Sequence, residues 1–287
     1  MRTPGSDGET DSATPPGVAA PSWTGRVRGV TSGVSVVLAD NAGPMTLEGT
    51  NSYLLAGPGS TGSIVVDPGP DDEDHLQTLA AEGPVELVLI THRHADHTAG
   101  ARRFAEITGA PVRAADPAHC YGGGAPLVAG EEIDVAGLVI RVVATPGHTS
   151  DSVSFHLPGL AGGSDGNGPG AVLTGDTILG RGTTVIAHPD GDLGSYLESL
   201  DTLAGLGAAM VLPAHGRELP DLAATCNAYY DHRQQRLDSV RAALLVLGDG
   251  ATVGQVTDLV YTDIDVTVRP AAELSVAAQL QYLRGPG

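Results

Sequence analysis

The stretch Thr91-His92-Arg93-His94-Ala95-Asp96-His97 puts three imidazoles and one carboxylate within six positions. Neutral imidazole and carboxylate are ligands for zinc and its first-row neighbours. His92 and His94, two apart in a loop, can converge on one cation. Asp96 and His97 can face a second. The apolar run from Val85 to Ile90 predicts a buried strand before the stretch, and Thr98 to Thr108 predicts a helix after it. The cluster therefore belongs in a loop at the carboxyl end of a strand, where ligands of open α/β sheets collect.

Three later stretches repeat the arrangement. Thr145-Pro146-Gly147-His148-Thr149 follows the strand-like run Leu138 to Val143. Thr174-Gly175-Asp176-Thr177 follows Ala171-Val172-Leu173, and Leu212-Pro213-Ala214-His215-Gly216 follows Ala209-Met210-Val211. Each sets one metal-type ligand in a turn of small residues, which let the backbone crowd around an ion. The pattern H-x-H-x-D-H, then a later His, Asp and His, resembles that of metallo-β-lactamase-fold hydrolases over most of residues 45 to 220.

That resemblance implies an α/β fold, a four-layer αββα sandwich, holding two divalent ions, zinc or in its place manganese or iron. It implies that His92, His94 and His148 hold one ion, that Asp96, His97 and His215 hold the other, and that Asp176 bridges them. An open position would carry a bridging hydroxide that attacks an ester-like bond, with Asp96 also a proton acceptor. Asp67, at the end of a strand before Pro68-Gly69, would hydrogen-bond a metal-bound histidine. His75, on a helix from Asp71 to Ala81, reads as a solvated surface residue. His119, His156 and His188 read as structural, strand and turn residues outside the site.

The remaining elements must position these groups. Arg26 to Leu38 predicts a first strand, and Thr50–Leu55 with Gly62–Asp67 a hairpin. Two short strands are expected around Gly137, one at Ser152–Leu157, and a helix from Leu193 to Leu206 whose leucines share a face. Residues 1 to 24, rich in Pro, Gly, Ser, Thr and Asp, predict a disordered extension. Pro158 to Gly170 predicts a flexible loop. Residues 25 to 219 form the expected catalytic domain. Residues 220 to 287 predict a long helix and two shorter ones. With Asn41–Leu55, Gly180–Val185 and the Tyr229-x-x-His232-Arg233 element, that tail is similar to the winged-helix-like appendage of a subgroup that includes single-strand-specific endoribonucleases.

Composition bounds the function. The net charge is −19, and every one of the 15 basic residues is arginine. Such acidity repels nucleic acid at long range, although arginines near a cleft can still grip phosphate. Cys120 and Cys226 lie outside every metal motif and read as incidental thiols. No apolar run reaches the length of a membrane helix, and no basic-then-apolar leader opens the sequence, so a cytoplasmic home is expected. No Walker loop or G-x-S-x-G competes. The subgroup resemblance implies single-stranded RNA as substrate and allows a homodimer. The alternative is a small thioester or lactone, as in glyoxalase-II-like enzymes. Arg93, Arg181 and Arg233 clustered at the cleft would favour phosphate, and scattered arginines a neutral substrate.

Overall fold

The computed structural model describes residues 21–160, 170–262, 266 and 268–285. One sheet runs in chain order: β1 (Val27–Thr31), β2 (Val34–Leu38), β3 (Asn51–Leu55), β4 (Ser63–Val66), β5 (Val85–Leu89) and β6 (Val112–Arg113). The first four pair antiparallel; β4, β5 and β6 are parallel. Their crossovers carry α1 (Glu73–Ala81), then α2 (Ala95–Thr98) and α3 (Ala101–Thr108). The second sheet contains β7 (Glu132–Val135), β8 (Leu138–Ala144), β9 (Val153–Leu157), β10 (Ala171–Gly175) and β11 (Met210–Pro213). Its parallel pair, β10 and β11, is joined through α4 (Leu193–Ala204). Three helices follow: α5 (Leu222–Leu247), α6 (Val253–Val260) and α7 (Arg269–Arg284).

Alternation along the strands makes the layers. Ile64 and Val66 of β4, and Leu87 and Leu89 of β5, point between the sheets, where they meet Phe155, Leu173 and Leu212. Val65 and Val88 point the other way, onto Leu76 and Leu79 of α1 and Phe104 of α3. On the far side, Val172 and Val211 pack against Tyr196, Leu200 and Leu203 of α4 and Leu222 and Cys226 of α5. Side chains two apart share a sheet face, so strands with helices on one side and a second sheet on the other are apolar throughout. This is the expected αββα sandwich.

Several local expectations change. Arg26 to Leu38 is a hairpin of β1 and β2, turning at Ser32-Gly33, where Gly33 takes φ 78°. The helix expected over Thr98–Thr108 is broken into α2 and α3 at Gly100, whose N–H donates to the Gly69 carbonyl at 3.0 Å. A Cβ there would lie 2.7 Å from the Pro70 carbonyl oxygen. His75 is buried rather than solvated, with Nε2 2.9 Å from Ser52 Oγ, because α1 lays that face on the sheet. Pro21–Thr24, assigned by composition to the extension, joins the fold: Trp23 packs on the central layer and Thr24 bridges to Leu38. Residues 1–20, and 161–169 of the expected loop, lie outside the described residues.

The tail is continuous with the sandwich. Leu222, Cys226, Tyr229 and Leu237 of α5 share the outer cluster with α4. Farther along α5, Val240 and Ala243 form a small separate cluster with Val256, Val276 and Leu280. Among the described residues no strand follows β11, so the wing implied by the resemblance is not seen among them. Both cysteines are free thiols, and no described helix is long and apolar enough to cross a membrane.

The buried His75 makes a stability prediction. Burial lowers its pKa from 6.5 to about 4. Between those values the unfolded chain binds the extra proton, so this contribution is complete above 6.5 and is lost as pH falls toward 4. The full loss is about 3 kcal/mol. Urea denaturation across this window should show a shallower pH dependence for His75→Gln than for the wild type. Superimposable slopes would contradict the burial argument.

Candidate metal centre

Every group of the centre sits just past a strand, on the edge where the two sheets converge. Asp67 follows β4, and the 92–97 loop follows β5. His148 follows β8, Asp176 follows β10 and His215 follows β11. Close backbone approach requires glycine in two of these turns. At Gly147, φ 133°, a Cβ would lie 2.4 Å from Tyr196 Cα; at Gly175, φ 51°, it would lie 2.8 Å from Thr91.

Four histidines are held from behind. His97 Nδ1 lies 2.9 Å from Asp67 Oδ2, and His215 Nδ1 lies 3.1 Å from the Gly49 carbonyl oxygen. His148 Nδ1 lies 2.7 Å from the Val185 carbonyl oxygen and 3.0 Å from Thr184 Oγ1. His92 Nδ1 lies 3.1 Å from Thr91 Oγ1, whose own proton goes to Asp67 Oδ2 at 2.7 Å. Each of these partners is an acceptor, so in each neutral ring the proton belongs on Nδ1. The Nε2 lone pairs of all four rings are thereby left for the interior of the site.

What those lone pairs face is the His94 ring and two carboxylates. His92 Nε2 is 3.0 Å, and His148 Nε2 3.1 Å, from His94 Nδ1. Oδ2 of Asp176 is 3.6 Å from His148 Nε2, while Oδ1 is 3.6 Å from His97 Nε2 and 3.3 Å from His215 Nε2. Asp96 Oδ2 lies 3.1 Å from His215 Nε2 and 3.3 Å from His97 Nε2. Nε2 of His97 and of His215, and Oδ1 of Asp176, are buried with no aligned hydrogen-bond partner. Two groups result, His92, His94, His148 and Asp176, and Asp96, His97 and His215, each with its ligand atoms within 4.8 Å of one another. Asp176 presents one oxygen to each.

Buried acceptors converging in this way are unfavourable unless positive charge, an added proton or a cation, fills the gap. The donor set of imidazole and carboxylate fits divalent first-row ions. The electrostatics show the same strain. Burial and the neighbouring rings push His92 well below its ordinary value, and burial with the His148 ring takes His94 to about 4. Burial also opposes charge on His97 and His215, but it is outweighed. The Asp67 and Asp176 carboxylates lift His97 well up, and Asp176 with Asp96 lifts His215 to about 9.

All seven residues named from the sequence therefore come together, and Asp67 stands behind them as expected. Its carboxylate accepts from Thr91 N, Thr91 Oγ1 and His97, and its φ of 52° is a left-handed conformation held by those bonds. His119, His156 and His188 lie outside both groups. Sequence reasoning missed the carbonyls of Gly49 and Val185 and the hydroxyls of Thr91 and Thr184. A main-chain carbonyl has no residue signature, so only the fold reveals it.

Comparison with known proteins agrees with this geometry. Residues 45–215 match the Metallo-beta-lactamase superfamily. The chain belongs to that superfamily. It is 35% identical over 230 residues to the lactamase-like protein adaB of Aspergillus niger, covering 76% of this chain and 66% of that one, so it spans about two thirds of that relative's length. It is 31% identical over 268 residues to the Beta-lactamase-like protein 2 homolog of Caenorhabditis elegans, covering 87% and 83%. An Aspergillus fumigatus relative named atrochrysone carboxyl ACP thioesterase is 35% identical over 219 residues, covering 72% and 64%. The fold is shared with a beta-lactamase domain protein from Burkholderia ambifaria, at TM-score 0.73 and 22% identity over 91% of this chain and 89% of that one.

Asp67 supplies a test of the tautomer argument. Removing an acceptor behind a metal-binding histidine costs about 10–100-fold in metal affinity. Asp67→Ala should weaken zinc binding by that amount in competition with a chromogenic chelator. Unchanged affinity in a folded variant would contradict the role given to Asp67.

Proposed function

We propose that this chain is a metal-dependent hydrolase acting on a small, largely apolar thioester or ester. His92, His94, His148 and Asp176 would hold one divalent ion, and Asp96, His97 and His215 the other, with Asp176 shared. Such ions supply an activated water at neutral pH and polarise the substrate oxygen. The chain's own part is to fix the ligands, exclude bulk water and receive a proton. Asp96 is the proposed acceptor: its side chain is 28% exposed against 10% for Asp176, so a substrate can reach it.

The observation that carries the substrate class is the state of the three arginines. Arg93 is ion-paired to Asp190 and bonded to Ser150. Arg181, at the mouth, is paired to Glu48 at 2.7 Å. Arg233 is buried and donates to the Thr184 carbonyl at 2.6 Å. Each already has a partner, only Arg181 lines the cleft, and a net charge of −19 opposes a polyanion. This weighs against the single-stranded RNA expected from the subgroup resemblance. A cleft of about 130 Å³ beside His148 and Asp176 has five apolar residues in its wall, Pro44, Met45, Leu47, Leu179 and Val185, together with Arg181, Thr183 and Thr184. Leu47 holds φ 54°, an unfavourable conformation for a branched side chain. Apolar walls beside a polarising centre suit an acyl chain more than a sugar–phosphate backbone. The thioesterase name of one relative supports the same class.

The test is release of thiol from an apolar acyl thioester of N-acetylcysteamine, run beside cleavage of labelled single-stranded RNA, with Asp176→Ala as control. Thioester turnover by the wild type, lost in the variant by a factor of about 100 or more, is expected. RNA cleavage lost in Asp176→Ala, with no thioester turnover, would overturn the substrate class.

A further inference from the structure

The Tyr229-x-x-His232-Arg233 element lies on α5, outside the metal groups, yet its side chains reach the segment that closes the site. Tyr229 Oη accepts from Leu179 N at 3.0 Å and donates to the Leu179 carbonyl at 3.1 Å. Arg233 Nη2 donates to the Thr184 carbonyl at 2.6 Å. From α4, Tyr196 Oη donates to the Thr177 carbonyl at 2.8 Å. Residues 177–185 are thus gripped at three points from the helix side. The segment begins next to Asp176 and ends at Val185, whose carbonyl accepts from His148 Nδ1. Thr184, whose main chain takes the Arg233 bond, sets its hydroxyl on the same nitrogen.

Arg233 is costly as a merely structural residue. It is 4% exposed, its Nε is buried without a partner, and it stacks 5.1 Å over the Tyr196 ring. Among the described residues no carboxylate lies within ion-pairing distance of it. A guanidinium withdrawn from water without a counter-ion is unfavourable, and an apolar residue would pack the same space at less cost. Its main-chain bond is to the loop behind His148, and the Tyr196 ring it stacks on grips the same segment at Thr177.

We infer that Arg233 is a positioning residue: with Tyr229 it holds the 177–185 segment so that the Val185 carbonyl fixes the tautomer and aim of His148. This rests on the assignment of His148 to a metal group. The effect is selective. The group containing His148 depends on the segment directly. Asp96, His97 and His215 take no ring bond from Thr184 or Val185, the end that Arg233 holds; His97 and His215 are backed by Asp67 and Gly49, and the segment reaches this group only farther back, where Gly180 N donates to the His215 carbonyl at 2.8 Å.

The experiment is titration of the metal-stripped full chain with Co²⁺ alone, following the visible ligand-field bands and the thermal midpoint. The wild type is compared with Arg233→Met, Arg233→Lys and Tyr229→Phe. Two ions should bind the wild type. Arg233→Met should weaken one of them by about 10–100-fold and leave the other within about twofold. Arg233→Lys, which keeps a donor, should recover part of the loss. Should the methionine variant not fold, Tyr229→Phe carries the test, because it removes only the two Leu179 bonds; the ion on His148 should weaken more than the other, which the segment reaches through Gly180. Two ions bound with wild-type affinity and spectrum in a folded Arg233→Met or Tyr229→Phe variant would overturn the inference. Equal weakening of both ions would also overturn it, since that marks general destabilisation. A wild type that binds no Co²⁺ would overturn the metal assignment itself, and the positioning role with it.

Discussion

The structure depends on one constraint: buried imidazole and carboxylate lone pairs converge on a space that must hold positive charge. Four rings carry their proton on the far side, toward Asp67, Thr91, Gly49 and Val185. Acceptors gathered in this way repel one another and lose hydration, so the arrangement is stable only with positive charge inside it. Around that space the sandwich acts as a frame. The strand ends of both sheets deliver the ligands, and the helices behind them carry the residues that set ring orientation.

Coupling between the frame and the site follows. The seven residues of the two groups arrive from the ends of four different strands, so neither group exists in the unfolded chain, and ion binding there would add to folding stability. The apolar alternation that builds the layers therefore also aligns the chemistry. A register slip of one residue in β10 would turn Val172 inward and move Asp176 off the convergence point, losing core and site together. The strained φ of Asp67 fits this coupling: its carboxylate ties β4, Thr91 and His97 into one unit.

Much of this was legible in the sequence because the ligands are side chains with distinctive chemistry at short spacing. His92, His94, Asp96 and His97 announce themselves. His148, Asp176 and His215 do so through the apolar strand and small-residue turn that precede each. The individual strands were legible, since buried strands give apolar runs bounded by Gly and Pro, whereas their arrangement as a two-sheet sandwich came from the family resemblance. The hairpin at Ser32-Gly33 was not, because its two strands read as one apolar stretch. His75 was misplaced because a helix position says nothing of which polar residue meets Ser52 across a sheet. The acceptors on Gly49 and Val185 were invisible, being backbone atoms, and the part played by Arg233 needed the fold to bring α5 beside residue 184. Charge pairing was equally hidden: composition counts arginines but not the Asp190 and Glu48 that neutralise them.

The most direct measurement of the central claim is zinc stoichiometry in the chelator-stripped full chain. Calorimetric titration and the thermal midpoint would be followed for the wild type and Asp176→Ala. Two ions per chain with a raised midpoint are predicted for the wild type, and loss of at least one ion is predicted for the variant, because one carboxylate serves both groups. A wild type that takes up no zinc, or an Asp176→Ala chain that still binds two ions with undiminished affinity, would contradict the account.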